Sequence, residues 1–445
     1  MNIQKIKKIK KNILNNEVAL KTIKNSGWLV SDRIFFMIIG VFVTALSTRY
    51  FGPEIYGQYS YATSFVALFT AFSTLGLETL TVRAIINKED DEGTILCTSL
   101  ILRISGGLIL TVFASLLIRI LEPNHNNIHI IVLIMSFTML FKSLEVIEYW
   151  VQAYQKSKIS SVIRMGTYVI SALLKILVII LKGNIIHFSL VYMFDAIIIG
   201  FALILAYFNK RENKNKWKFN LTYSKKIISQ SWYIMISGLM ITIYMKIDQV
   251  MLGSIIENKE ELGVYSAAVQ ISEMWYFIPM AIITSFKPII MKKKKTNDDT
   301  YIESVQFLYT IIAWISISFG VFVLLTSKII VNILFGAAYF KASDILLTNI
   351  WAGIFAMLGS VASVWYVCEN YQKYSIVLVF SGLIMNITLN LILIPKMGGN
   401  GAAIATLITQ FFSNFVVPLF IKDIRLNSIM IIRAFMYPIR KWLLK

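Results

Sequence analysis

The sequence predicts an all-α integral membrane protein with about twelve transmembrane helices in two parallel six-helix bundles. Of the 445 residues, 57% are hydrophobic and 15% are charged, whereas soluble proteins average about 25% charged residues. The apolar residues come in blocks of about twenty, the length that crosses a bilayer core. One polar turn also occurs near the start of each half of the chain. A large soluble helical core is excluded, because too much apolar surface would have to be covered.

The distribution of charge divides the chain into five parts. We expect a basic cytoplasmic tail (1–24), a six-helix lobe (25–208), a basic cytoplasmic linker (209–226), a second six-helix lobe (227–422) and a basic cytoplasmic tail (423–445). Lysine and arginine gather in the termini and in every second loop, as the positive-inside rule requires. Because each lobe has an even number of helices, both lobes enter the membrane in the same direction. The formal charge of +19 therefore indicates orientation in the membrane, not binding to nucleic acid.

The polar turn that occurs twice is a second guide to the architecture. Its first copy is 49–60 (Arg-Tyr-Phe-Gly-Pro-Glu-Ile-Tyr-Gly-Gln-Tyr-Ser) and its second is 260–268 (Glu-Glu-Leu-Gly-Val-Tyr-Ser-Ala-Ala). Each copy leads through a glycine, Gly57 or Gly263, into Tyr-Ser, and glycine and proline suit tight turns between helices. The charge pattern places both copies on the outer side. We expect them to be hinge or gate elements at the outer mouth of a cavity, rather than the substrate site.

Charged residues also lie within or at the edges of the predicted helices. Each costs roughly 2.5–3.5 kcal/mol at the centre of a membrane helix, so we expect these residues to line an aqueous cavity or to pair with one another. Arg33, Lys287 and Asp248 lie near helix ends, where a side chain can instead reach the interface. The basic residues are Arg33, Arg103, Lys142, Arg164, Lys175, Lys246 and Lys287, and the acids are Glu145, Glu148, Asp195, Asp248 and Glu273.

A cavity with net positive charge predicts an anionic substrate. Arginine offers bidentate donors to phosphate oxygens and lysine offers a point charge, so phosphate or diphosphate head groups and acidic sugars would fit. For Lys142 with Glu145, a structural pair is an alternative. The candidate substrate-binding residues are Arg103, Lys142, Arg164, Lys175, Lys246 and Lys287. Two polar stripes are more typical of helix packing than of ligand binding, namely Asn386 with Asn390, and Thr406 with Gln410 and Asn414.

Sequence motifs for catalysis and for metal binding are absent. The chain has no Gly-rich P-loop for ATP, no His-Glu-x-x-His motif and no cluster of cysteine and histidine. We expect no catalytic residue, no metal site and no cofactor beyond coupling to H⁺ or Na⁺. An acid that binds such a cation in one conformation can couple transport to an ion gradient or to the membrane potential. The candidates are Glu145, Glu148, Asp195 and Glu273.

Four motifs, in order along nearly the whole chain, resemble those of the polysaccharide and O-antigen flippase family. They are 48–60, 246–253 followed by 263–268, Phe277-Ile278-Pro279 with Lys287-Pro288, and 391–395 followed by 398–406. The resemblance implies the multidrug/oligosaccharidyl-lipid/polysaccharide exporter fold, in which two six-helix bundles surround a central cavity that opens alternately to each side. It also implies the substrate, an undecaprenyl-diphosphate-linked oligosaccharide.

The leading hypothesis is therefore a flippase, not an enzyme, that moves this lipid-linked oligosaccharide to the outer leaflet of the bacterial cytoplasmic membrane for surface polysaccharide biosynthesis. Its expected partners are the lipid substrate, the bilayer, and the polymerase and chain-length proteins of the same pathway. A drug or small-anion exporter of the same fold is one alternative. A membrane-embedded glycan polymerase or ligase is another, although such an enzyme would be expected to carry a sizeable outer loop with catalytic residues, and the loops here are short.

Overall fold

The computed structural model describes residues 17–211 and 216–443. Within these ranges the chain forms α-helices and a few short 3₁₀ and π segments, and no β-strand. The α-helices are α1 (Glu17–Ser73), α2 (Leu77–Asn87), α3 (Glu92–Leu121), α4 (Asn126–Lys142), α5 (Ile147–Ala153), α6 (Ser157–Ile180), α7 (Ile185–Lys210), α8 (Leu221–Ile255), α9 (Glu260–Met274), α10 (Phe277–Lys295), α11 (Tyr301–Phe335), α12 (Ala342–Cys368), α13 (Gln372–Phe411), α14 (Val417–Phe420) and α15 (Arg425–Leu443).

Ten helical stretches in the described part of the chain are long and apolar enough to cross a membrane. Two of them are too long for one crossing, with 61 residues over Gly27–Asn87 and 49 over Gln372–Phe420, because about 20 residues suffice. Each is broken at a glycine with positive φ, Gly52 (71°) and Gly398 (55°), a conformation that glycine adopts without steric cost. The ten stretches with these two breaks confirm the predicted all-α membrane fold of about twelve spans.

The helical stretches contain three further interruptions inside the apolar region. A 3₁₀ segment, Ser143–Val146, separates α4 from α5, and a π segment, Phe412–Val416, separates α13 from α14. The third break lies between α9 and α10, just after Glu273. Such irregular turns within helices often mark functional positions. Each of the three lies beside polar or charged residues that form the sites described below.

Parts of both flanking helices fall within the range 209–226, which the sequence predicts to be a linker. Helix α7 continues to Lys210, which lies in its last turn, where a basic side chain interacts favourably with the helix dipole. Helix α8 already begins at Leu221, because the Asn220 side chain accepts a hydrogen bond from the Tyr223 N–H and caps it (3.1 Å). Of the predicted tails, 1–16 and 444–445 lie outside the described residues, and the rest belongs mainly to α1 and α15.

The chain forms two compact units. The first comprises the described residues within 1–43 and 69–238, and the second those within 44–68 and 239–445. The core of the first unit contains Leu77, Trp150 and Tyr207, and the two aromatic rings meet edge to face with centroids 5.3 Å apart. In the second unit, Tyr309 is fully buried and donates a hydrogen bond to Asn427. The lobe boundaries drawn from the sequence stay a prediction.

Candidate functional site

The first unit gathers predicted basic and acidic residues around Arg164 of α6. The Arg164 Nη2 lies 2.6 Å from Glu148 Oε2 and 3.5 Å from Glu145 Oε2, and the Arg164 Nε donates to Glu148 Oε1 (2.8 Å). The 3₁₀ segment carries Glu145 and the first turn of α5 carries Glu148, so the break in this helix brings both carboxylates to one guanidinium. Asp32, which the sequence analysis did not single out, also interacts electrostatically with Arg164.

A second ion pair lies further along the same helix. The Lys175 Nζ is 3.8 Å from Asp195 Oδ2, and the Ser171 hydroxyl donates to the same oxygen (2.9 Å). Lys142 lies with its ammonium 5.8 Å from the centre of the Tyr192 ring, a cation–π distance. Lys142 also interacts electrostatically with Glu145 and with Asp195. The two ion pairs are therefore parts of one network.

Arg103 is the most buried of these cations, with 5% of its surface exposed. It donates to the Tyr149 hydroxyl (3.1 Å) and to the Lys142 carbonyl (2.7 Å) at the end of α4. Its contacts therefore brace the backbone where the 3₁₀ segment begins. The network has four bases (Arg103, Lys142, Arg164, Lys175) and four acids (Asp32, Glu145, Glu148, Asp195). When all eight groups are ionised, the four positive charges and the four negative charges sum to zero.

The second unit contains a cavity of about 460 Å³ whose lining is mainly apolar and includes two carboxylates with several amide and hydroxyl side chains. Asp248 and Glu273 supply its carboxylates, and no lysine or arginine is among its lining residues. Helices α8, α9, α12 and α13 contribute tyrosine, serine, asparagine and glutamine side chains. The Thr406, Gln410 and Asn414 stripe, which the sequence associated with helix packing, faces this cavity. The lining can therefore bind a cation or a polyhydroxylated group, and it disfavours an anion.

Asp248 is the centre of a buried polar cluster. It is 7% exposed and accepts hydrogen bonds from the Asn390 amide (2.7 Å), the Tyr265 hydroxyl (3.2 Å) and the Thr406 hydroxyl (2.5 Å). Asn390 also donates to Asn386 (3.0 Å). Among the residues that the structure describes, no lysine or arginine is ion-paired with Asp248. The sequence analysis placed Asp248 near a helix end and missed this role, because its partners are distant in the chain.

Lys246 and Lys287 occupy different surroundings from the basic residues of the first unit. Lys246 lines a second cavity of about 180 Å³ together with Gln249, Gln270 and Glu273, and it interacts electrostatically with Glu273. Lys287 is exposed on α10 and lines neither cavity. Within the second unit, Lys246 thus shares a polar site with Glu273, and Lys287 lies outside that site.

The two copies of the repeated turn contact each other within the second unit. A Cβ at Gly57 would lie 1.8 Å from the Lys259 carbonyl oxygen, and a Cβ at Gly263 would lie 1.9 Å from the Pro53 carbonyl oxygen. Equivalent glycines of the repeat therefore allow two backbones to meet where no side chain fits. Arg49 also links α1 to α11, because its guanidinium donates hydrogen bonds to the backbone carbonyls of residues 332–334 at the end of α11.

Comparison with solved structures identifies similar folds. The lipid II flippase MurJ, in its inward closed conformation, aligns with a TM-score of 0.73 and 18% identity over 93% of this chain and 92% of that one. An inward-facing multidrug resistance MATE family transporter of the MOP superfamily aligns with a TM-score of 0.64 and 13% identity, covering 91% and 95%. A MOP superfamily transporter from Pyrococcus furiosus, described as having a binding pocket of reverse polarity, gives 0.60 and 13%, covering 91% and 96%. At these identities the likeness shows the fold.

Comparison with curated proteins gives no sequence match. The family model described as "Polysaccharide biosynthesis protein" matches residues 22–294, which is more than half of the chain. The match includes both copies of the repeated turn and the complete charge network of the first unit. With its many apolar helices, the chain is a multi-pass membrane protein, and it belongs to the polysaccharide biosynthesis protein family.

Proposed function

We propose that this protein is a flippase that moves undecaprenyl-diphosphate-linked oligosaccharide from the cytoplasmic to the outer leaflet by alternating access, for O-antigen, capsule or exopolysaccharide biosynthesis. Family membership and a fold shared with a lipid II flippase support a lipid-linked substrate. The observation that carries the proposal is the network of charges around Arg164 among membrane helices. On this proposal the protein is a transporter of the bacterial cytoplasmic membrane with both termini in the cytoplasm. It would work beside the polymerase and chain-length proteins of the pathway.

Arg164 can bind a diphosphate by exchanging carboxylates for phosphate oxygens. Its fork of donors fits both kinds of anion. Without substrate, Glu145 and Glu148 neutralise the guanidinium and so reduce the penalty of holding it among apolar helices. A diphosphate carries several negative charges on its oxygens and competes for the same donors. Lys142 and Lys175 belong to the same network and would then balance the remaining charge.

The cluster around Asp248 supports coupling to a cation. A buried carboxylate without a basic partner is costly when it is ionised, and a bound cation removes that cost. Among the described residues, the buried Asn390 Oδ1 has no hydrogen-bond partner, so its acceptor capacity is available for a further group beside Asp248. Oxygen ligands from Asp248, Asn390 and Thr406 suit a hard cation such as Na⁺, and a proton on Asp248 is the alternative. This cluster joins the four acids that the sequence proposed for coupling.

The variant Arg164→Ala tests the head-group role. We expect it to slow the leaflet exchange of labelled undecaprenyl-diphosphate-linked oligosaccharide in liposomes by roughly 10- to 150-fold, the value of a charge-assisted contact of about 1.5–3 kcal/mol. The variant also leaves Glu145 and Glu148 unpaired, which destabilises the protein. The triple variant R164A/E145Q/E148Q also removes the two unpaired negative charges and the repulsion between them. Its unfolding temperature should therefore recover, while lipid exchange stays slow.

Two results would contradict the assignment of Arg164. If the triple variant exchanges lipid at the wild-type rate, Arg164 serves only to neutralise its carboxylates. Wild-type exchange by Arg164→Ala itself would have the same meaning. Arg83→Ala is the matched control, because Arg83 also pairs with an acid, Glu89 (3.7 Å), but its side chain is 52% exposed. It should leave exchange unchanged.

An exporter of organic cations is the second candidate, and the acidic cavity of the second unit favours it. Asp248, Glu273 and the tyrosines of that cavity could bind a lipophilic cation through charge and through ring faces. Liposomes that contain the purified protein separate the two functions. The flippase moves the labelled lipid-linked oligosaccharide between leaflets, whereas an exporter moves ethidium across the membrane and leaves the lipid where it is.

A further inference from the structure

The larger cavity of the second unit has the chemistry of a carbohydrate site. We propose that it binds uncharged sugar rings of the transported glycan, while the diphosphate is held elsewhere; this rests on the proposed flippase function. The proposal names the part of the substrate that this cavity recognises. It also predicts that the sugars nearest to this site carry no carboxylate, in contrast to the acidic sugars that the basic residues alone would suggest.

The charge of the lining disfavours an anionic occupant. Two carboxylates, Asp248 and Glu273, face the cavity, and the residues that line it include no lysine or arginine. At short range and low dielectric, a phosphate or a uronate would be repelled by Asp248 when that acid is ionised and holds no cation, whereas Lys246 offsets part of the charge of Glu273. The basic residues of the charge network all belong to the other unit. Recognition of the diphosphate and recognition of the sugar are therefore assigned to different residues.

The polar groups of the lining match sugar hydroxyls. Each hydroxyl of a sugar both donates and accepts hydrogen bonds, as do the amides Asn349, Gln410 and Asn414 in the cavity wall. The rings of Tyr244 and Tyr276 add apolar surface, which suits the C–H face of a sugar ring. A volume of about 460 Å³ lies in the usual range for small-ligand sites, so it holds a few rings rather than a polymer.

Two polar atoms of the wall point to a ligand. The Asn349 Nδ2 and the Tyr366 Oη are buried and have no hydrogen-bond partner among the described residues, yet both residues line the cavity. Their residues are only 5% and 2% exposed. A buried polar group without a partner is unfavourable. Neither atom is exposed to the cavity in this arrangement, so a sugar hydroxyl would satisfy both groups once the Asn349 and Tyr366 side chains shift toward the cavity.

The Asn414 side chain lies at the cavity wall and is held there by its own helix and by the neighbouring helix. Asn414 lies in the π segment Phe412–Val416, and its Nδ2 donates to the Gln410 backbone and side-chain carbonyls (3.1 and 2.9 Å). A Cβ at Gly359 would lie 2.2 Å from the Asn414 Oδ1. A side chain at position 359 would displace this amide, so the two helices fit each other closely at this point.

The experiment measures binding of defined lipids to the full-length protein in nanodiscs. The probes are undecaprenyl diphosphate alone and the same lipid carrying one glucose, N-acetylglucosamine, N-acetylgalactosamine or galacturonic acid. We expect at least one neutral sugar to tighten binding over the bare lipid and galacturonic acid to give no gain. Tyr366→Phe and Asn349→Leu should each weaken binding of that sugar-bearing lipid about 5-fold, the effect of one net hydrogen bond. Binding of the bare lipid should stay the same.

Tyr339→Phe is the matched control, because the Tyr339 hydroxyl is also buried without a partner but does not line the cavity. It should leave the binding of every probe unchanged. If the bare lipid fails to bind the wild-type protein, the flippase function itself is wrong. If the bare lipid binds but no neutral sugar adds affinity, or if the two variants weaken both lipids equally, the sugar site is wrong. If tetraphenylphosphonium competes with lipid binding and Tyr366→Phe relieves that competition, the cavity is instead assigned to organic cations.

Discussion

Replacing Gly57 by alanine should abolish transport, because the added methyl group would have to occupy the position of a backbone oxygen. A Cβ at Gly57 lies 1.8 Å from the Lys259 carbonyl oxygen and 2.8 Å from its carbon. The same oxygen accepts a hydrogen bond from the Gly263 N–H (3.0 Å), so it cannot move without loss. Overpacking a tight contact costs about 1–3 kcal/mol, or roughly 5- to 150-fold in the population of this arrangement, and a backbone clash belongs at the upper end.

Gly263→Ala should have the same effect, because the contact is reciprocal. Its Cβ would lie 1.9 Å from the Pro53 carbonyl oxygen. Both variants can be measured by complementation of surface polysaccharide in cells that lack the gene, with membrane protein levels checked by immunoblot. Normal polysaccharide from either variant would mean that the two turns need not meet during the transport cycle.

Gly166→Ala provides the control for these two variants. Gly166 lies within α6, and a Cβ there has no neighbour within 4 Å. Alanine is favoured over glycine inside a helix by about 1 kcal/mol, so this protein should be as stable as the wild type or more so and should support normal polysaccharide. A loss of function in this control as well would indicate a general sensitivity of the chain to substitution.

Features of the fold that depend on local sequence could be predicted. The breaks at Gly52 and Gly398 follow from glycine beside proline-containing turns, since backbone preferences act over a few residues. The number of spans follows from the length of apolar blocks. The glycine of each repeated turn was identified from its pattern. That these two glycines touch could not be derived, because the contact joins residues 206 positions apart, from 57 to 263.

The partners of buried charges could be predicted only in part. Lys142, Glu145 and Glu148 were grouped because they share one stretch of sequence, and a pair between Lys142 and Glu145 was considered. The pairing of Glu145 and Glu148 with Arg164 depends on how α5 and α6 pack, which periodicity does not encode. Lys259 lies in the short connection between α8 and α9, yet it is 3% exposed and donates to the Gly253 carbonyl. Spacing identifies which residues are unusual, whereas packing decides what each one contacts.

The cluster around Asp248 was the largest omission, and its physical cause is clear. Asp248 stands near the end of a predicted span, where an acid usually reaches water. Asn390 and Thr406 follow 142 and 158 residues later, in stripes that are typical of helix packing. No local signal joins these residues. A search for an intramembrane acid together with stripes of amide and hydroxyl residues on other spans could have raised the cluster as a candidate.

Replacing Asp248 by asparagine should leave the protein folded and remove its coupling to a cation. Asparagine has nearly the shape of aspartate, and its amide can donate to the Tyr265 and Thr406 hydroxyls, which can rotate to accept. The Oδ1 can still accept from Asn390. Because the substitution also removes a buried charge, the unfolding temperature should stay the same or rise. A neutral side chain, however, cannot bind and release a cation.

The expected effect is on the dependence of transport on ions. In liposomes with an imposed Na⁺ or pH gradient, wild-type protein should accelerate the flipping of labelled lipid-linked oligosaccharide, and one of the two gradients should be the effective one. Asp248→Asn should flip at the rate seen without a gradient, at least 10-fold slower, as expected if the gradient contributes about 1.4 kcal/mol or more to the rate-limiting step. An undiminished response to the gradient would remove Asp248 from the coupling mechanism.

Asp298→Asn makes the same change in charge at a place where it should not matter. Asp298 lies between α10 and α11, outside the apolar spans, and hydrogen bonds from the Thr300 hydroxyl and N–H lower its pKa. It is therefore ionised at neutral pH, and asparagine keeps the acceptor that Thr300 uses. Equal loss in both variants would point to net charge as the cause. Loss in Asp248→Asn alone would assign the response to the buried carboxylate, since only that acid is enclosed by Tyr265, Asn390 and Thr406.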